Sequence, residues 1–223
     1  MSHHIRRSPR RALRALAILM CAVLLSSVPF TGTASAHGSV VDPASRNYGC
    51  WQRWGNDFQN PTMQQQDPMC WQAWQDNVNA MWNWNGLYRE NVNGNHEGVI
   101  PNGQLCSAGL TENGRYRSMD TPGAWKMTNL GSTFNINLND QASHGADYIK
   151  VYITRQGYNA LTTPLGWNHL ELVRETGRYA PSNTYMINNI SRGSRTGRHV
   201  VYTIWKASHA DQNYYFCSDV NFV

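Results

Sequence analysis

The second half of the chain alternates, and this alternation constrains the fold more than any other feature. Within residues 131–140, Phe134, Ile136 and Leu138 recur at every second position, the period at which side chains share one face of a strand. Residues 148–154, 184–187, 199–205 and 214–222 continue the series, separated by Gly, Pro, Ser and Asn. Several short strands at this spacing predict an all-β domain, an immunoglobulin- or fibronectin III-like antiparallel β-sandwich. The first half differs. Residues 37–42 are a short apolar start and residues 43–46 turn the chain. Residues 50–90 carry Trp51, Trp54, Trp71, Trp74, Trp82 and Trp84 among Asn, Gln and Asp without strand alternation, which predicts a large, partly helical loop insertion. Residues 91–122, rich in Asn and Gly, read as loops with at most short strands. There is no internal repeat or low-complexity tract.

Residues 1–36 have the pattern of a secretory signal: basic Arg6, Arg7, Arg10, Arg11 and Arg14, an apolar run over 15–25, then Ala34-Ser35-Ala36. Cleavage after Ala36 would make His37 the first residue of a secreted, extracellular product of 187 residues (37–223), a length suited to one domain. The apolar run is too short to span a bilayer. Met20 stands before Cys21 where a lipid-anchored cysteine follows a small residue, which argues against an anchor; paired arginines leave twin-arginine and general export both open. Charge must be recounted without this segment. Of 19 Lys and Arg, five lie within it, as do none of the 14 Asp and Glu, so the processed chain balances at zero. It therefore lacks the basic excess of a nucleic-acid binder, and a neutral polymeric partner suits it better.

Four cysteines remain after processing: Cys50, Cys70, Cys106 and Cys217. An even number in an exported chain predicts two disulfides, with three possible pairings. We favour Cys50–Cys70, which closes a local loop, and Cys106–Cys217, which ties a middle loop to the last strand. Zinc is the alternative, but no two cysteines have metal-knuckle spacing.

A histidine at a processed N-terminus offers two nitrogens to one metal ion, the α-amine and ring Nδ1. The amine has an ordinary pKa of about 7.7–8.0 and yields its proton to a metal far more readily than a lysine does. One further imidazole would complete a three-nitrogen, T-shaped set, which suits Cu(II) and is tolerated by Cu(I).

His37-Gly38-Ser39-Val40, followed by Asp42-Pro43-Ala44-Ser45-Arg46, resembles the start of bacterial lytic polysaccharide monooxygenases of auxiliary activity family ten, the chitin-binding-protein type. Gln141-Ala142-Ser143-His144 and the closing stretch from Tyr214 to Phe222 extend the likeness over essentially all of residues 37–223. The resemblance implies a copper ion held by His37 and His144, with Ala142 crowding one axial face and Tyr214 opposite, where the family usually has phenylalanine. Register leaves open a neighbouring aromatic in that place; Phe216 shares a face with Tyr214, whereas Tyr215 points the other way. His209 is the strongest rival to His144 as ligand, ahead of His96, His169 and His199. Alternatively, His209 and Gln212 line the rim around the metal. An exposed aromatic for stacking on sugar rings is expected in the tryptophan-rich insertion, at Trp82 or Trp84.

The activity implied is copper-dependent oxidative cleavage of crystalline polysaccharide by a monomer using O2 or H2O2 and an external electron donor. Chitin is the first-choice substrate and cellulose the second. A noncatalytic chitin-binding protein would keep an aromatic face without needing a free terminal amine. Copper transport is the third reading, yet Met63, Met69, Met81, Met119, Met127 and Met186 form no close cluster such as Cu(I) carriers use. No paired-carboxylate hydrolase pattern, nucleophile elbow, phosphate loop or dinucleotide fingerprint is evident.

Overall fold

The computed structural model describes residues 37–223, so the signal-type segment and its cleavage point lie outside the described residues. Two sheets face each other. The smaller has the order β1 (Gly38–Asp42), β4 (Thr133–Asp140), β7 (Thr184–Ser191). The larger runs β2 (Tyr88–Arg89), β9 (Asn213–Phe222), β8 (Gly197–Ala207), β5 (Ala146–Thr154), β6 (Leu170–Glu175), and β3 (Thr128–Leu130) also pairs with β9. The alternating residues of β4 face inward as their period requires: Phe134, Ile136 and Leu138 pack with Val40, Ile149, Val151, Val201, Trp205, Tyr214 and Phe216 between the sheets.

β8 and β9 are buried along almost their whole length because both of their faces are covered, polar Thr203, Asn213, Ser218 and Asp219 included. On the second face, Val200, Tyr202, Ile204, Tyr215 and Cys217 pack against Met63, Trp74, Met81, Leu105 and Tyr116 of the insertion. Two helices dominate that layer: α1 (Arg46–Trp54), and α2 (Pro68–Asp76), which has Pro68 at its first turn, where a missing N–H costs nothing. The disulfides pair Cys50 with Cys70, joining α1 to α2, and Cys106 with Cys217, joining the insertion to β9. Buried Arg46 adds a third tie, donating to Asp219 Oδ2 from Nε at 2.7 Å and to the Met119 carbonyl.

The sandwich, the partly helical insertion and both cysteine pairs follow the sequence expectation, with differences of detail. Residues 38–42 form a full edge strand. β6 is an additional strand that alternation does not signal: of its six residues only Leu170 is buried, because one face looks to solvent and the strand closes a sheet edge. Residues 91–122 contain short helical turns, His96–Val99 and Arg117–Asp120 among them, in place of strands. β3 runs parallel to β9, the single parallel pair among the described strands.

Candidate metal centre

The turn between β4 and β5 carries His144 and hydrogen-bonds the backbone of His37, the two predicted ligands. Antiparallel register sets Gly38 opposite Asp140. His37, one residue earlier, lends its carbonyl to the Gln141 N–H at 2.8 Å, while the Gly38 N–H donates to the Asn85 carbonyl at 2.9 Å. Asn85 Nδ2 in turn donates to Gln141 Oε1 at 2.6 Å, so the two segments that grip residue 37 also grip each other. Position 38 tolerates no side chain. A Cβ there would lie 2.4 Å from the Asn139 carbonyl oxygen and 2.7 Å from Trp205 Cζ3.

His144 is fixed through its ring. Nδ1 donates to Asp140 Oδ1 at 2.8 Å, and a carboxylate only accepts, so the proton sits on Nδ1 and Nε2 keeps the lone pair a metal needs. Asp140 is fully buried yet fully answered: Oδ1 also accepts the Ala142 N–H at 3.2 Å, and Oδ2 accepts the His144 N–H at 2.5 Å and the Tyr185 hydroxyl at 2.9 Å. Four donors offset the cost of burying the charge. Sequence reasoning passed over Asp140; the signal available was a carboxylate four positions before a candidate ligand across a tight turn.

Beneath the turn lies an aromatic stack. The Trp205 ring is 6.4 Å from that of His144 and its Nε1 donates to the Gly145 carbonyl at 3.1 Å. Tyr214 stacks on Trp205 at 4.5 Å and 26°, and Phe216 follows at 6.2 Å. Tyr215 faces the opposite side, where its hydroxyl meets His96 Nδ1 at 2.8 Å. Burial drives the Tyr214 phenol far above its ordinary pKa, so it stays a neutral hydroxyl, donating to Gln212 Oε1 at 3.2 Å. Tyr214 therefore lies in the buried layer behind the site.

The remaining predicted residues divide. Ala142 is exposed on the turn. The exposed His209 sets its ring against that of His144, centroids 3.9 Å apart, whereas Gln212 is buried. His96 lies between Tyr148 and Tyr215, His199 on Thr154, and His169 against Gly166 and Tyr158, all engaged away from the turn. Trp82 is 43% exposed and braced edge-on by Phe58 and Trp74, three residues before the Asn85 that clamps Gly38. Trp84 is corrected. It is buried among Tyr48 and Trp51, with Asn47 Nδ2 held on its carbonyl, because the chain turns it into the insertion's own packing. No sugar ring can reach it there.

The donors fit copper. Among the described residues no group of three or more His, Cys, Asp or Glu side chains is arranged for a metal. With His37 as the first residue, its amine and ring nitrogen together with His144 would give an all-nitrogen set of the kind that suits copper. No described helix is long and apolar enough to cross a membrane.

With the β-sandwich and the surroundings of His37 and His144 described, comparison gives the family. The family model described as lytic polysaccharide mono-oxygenase, cellulose-degrading, matches residues 37–220. The chain belongs to this family. It is 32% identical over 194 residues to the chitin-binding protein CbpD of Pseudomonas aeruginosa, covering 85% of this chain and 48% of that protein. To a lytic cellulose monooxygenase of Streptomyces ambofaciens it is 31% identical over 226 residues, covering 93% and 60%. The chain thus spans about half the length of the curated relatives it matches. A crystal structure of a lytic polysaccharide monooxygenase from Kitasatospora papulosa superposes with a TM-score of 0.82 at 64% identity, covering 84% of this chain and 98% of that one.

Proposed function

We propose that the protein, exported and processed to begin at His37, binds one copper ion through His37 and His144 and oxidatively cleaves crystalline polysaccharide. The observation that carries this reading is the grip on one turn of both histidines, with Asp140 leaving His144 Nε2 free as a donor. Copper held there supplies the redox chemistry by which O2 or H2O2, with electrons from an external donor, oxidises a carbon at the glycosidic bond. The chain's own residues do the positioning. Asp140 holds the proton on His144 Nδ1, and the Asn85–Gln141 clamp fixes residue 37. Ala142, exposed on the turn, would stand to one side of a bound ion, and the Trp205–Tyr214 stack would back His144 from the core. Trp82 offers a braced ring on which a sugar face can stack.

Chitin is the first substrate, supported by the likeness to a chitin-binding protein; cellulose is the second, supported by the equally distant cellulose monooxygenase. The test is ascorbate-dependent release of oxidised oligosaccharides from each polymer by copper-loaded protein starting at His37, read by mass spectrometry. Oxidised products are expected, and a form carrying one extra residue ahead of His37 should release none. Tight adhesion without any oxidised product from either polymer would instead mark a noncatalytic binding protein.

A further inference from the structure

We propose that His209 is a positioning residue for the metal-binding imidazole of His144, acting as a flat cap stacked on its outer face. The inference rests on the reading of His144 as a ligand. His144 lies on a surface turn, yet its side chain is only 5% exposed. Trp205 covers it from the core at 6.4 Å, and the exposed His209 ring covers it from outside at 3.9 Å, tilted by 32°. The hydrogen bond from Nδ1 to Asp140 pins one edge of the ring; the close His209 ring limits its remaining tilt, and with it the direction of the Nε2 lone pair.

The loop between β8 and β9 is staked down in a way that keeps the cap in place. Ser208 Oγ donates to the carbonyl of His144 itself at 3.0 Å, so the residue before the cap is fastened to the residue being capped. Lys206 Nζ donates to the Ala210 carbonyl at 2.7 Å, and Asp211 Oδ2 accepts the Asn91 N–H at 2.7 Å. Both neighbours of His209 are thus anchored within one residue. A flat ring is all the role requires, and no proton transfer by His209 enters it.

The experiment compares wild type, His209→Ala and His209→Phe, all starting at His37, by Cu(II) electron paramagnetic resonance and by copper titration. In His209→Ala the uncapped ring should give a changed and broader Cu(II) spectrum, with affinity weakened about ten-fold, the lower range for loss of an outer support of a ligand. His209→Phe should restore both towards wild type, because it restores the stack without a nitrogen. The melting temperature of the metal-free variants, which share an exposed position, should stay unchanged and so separates folding from positioning. A His209→Ala spectrum and affinity indistinguishable from wild type would overturn the proposal. So would a Phe variant as impaired as Ala, which would make the His209 nitrogens the important groups. Failure of wild type itself to bind copper would instead overturn the reading of the site on which this rests.

Discussion

Asp140 is the side chain on which the site turns. It has four donors and no exposure, and it decides which nitrogen of His144 can face a metal. Asp140→Ala would leave those donors unanswered and free the imidazole to change tautomer. Copper affinity is expected to fall about 10–100-fold, measurable by competitive titration. Gly38 is the steric counterpart. Because the Asn139 carbonyl and the Trp205 ring occupy the space of a Cβ, Gly38→Ala must push β1 away from β4 just where His37 is held. A loss of about 1–3 kcal/mol in unfolding free energy is expected from this overpacking, together with weaker copper binding; chemical denaturation and titration check the two separately.

At the level of elements, β9 joins the two halves of the molecule. One face of it contributes Tyr214 and Phe216 to the sandwich core, and the other contributes Tyr215 and Cys217 to the layer shared with the insertion. The Cys106–Cys217 bond spans 111 residues, so its removal frees a long loop in the unfolded chain. Replacing both cysteines by serine should cost about 2–5 kcal/mol, visible as a lowered melting temperature. β4 was legible in the sequence because a strand with one buried face repeats its apolar residues with period two, and β9 because Tyr214, Tyr215, Phe216 and Cys217 form an apolar run that serves both faces. β6 was not legible: an edge strand with a solvated face needs no such pattern, and Leu-Glu-Leu-Val-Arg-Glu shows none. The insertion's helices were legible only as a break in alternation, since their apolar residues answer to neighbouring helices and to β9 together.

At the scale of the whole molecule, buried His96 and half-buried Asp120 pull the pH dependence of stability in opposite directions. Burial, aided by the charge of Lys150, lowers His96 to about 4. The unfolded chain takes up that proton first, near 6.5, so the stability contributed by neutral His96 is full above 6.5 and is lost as pH falls towards 4. Burial raises Asp120 to about 6, against the pull of Ser107, Arg46 and the Cys106 N–H, and leaves its Oδ2 without a hydrogen bond. Here the folded state takes up the proton first, so the carboxyl favours folding below its unfolded value and loses that advantage as pH rises through 6. The two partly cancel between about 4 and 6. His96→Gln, which cannot titrate, should therefore melt higher relative to its own neutral value as pH falls than wild type does. Asp120→Asn should gain stability at pH 7 and lose it more steeply on acidification. Melting curves from pH 4 to 7.5 check both; parallel wild-type and variant profiles would contradict the assignment.

What could be read from residue order alone were the local and periodic features: the strands with a buried face, the even cysteine set, and the two histidines whose neighbourhoods resemble the family's. Each depends on spacing along the chain, and side-chain direction follows spacing within an element. Only the tertiary structure decided that Trp84 turns inward while Trp82 stays out, that Asp140 sets the His144 tautomer, and that a loop from β8 lays His209 over a ring on the β4–β5 turn. Those outcomes depend on which segments pack together across long sequence separations, where burial and hydrogen-bond satisfaction override local pattern.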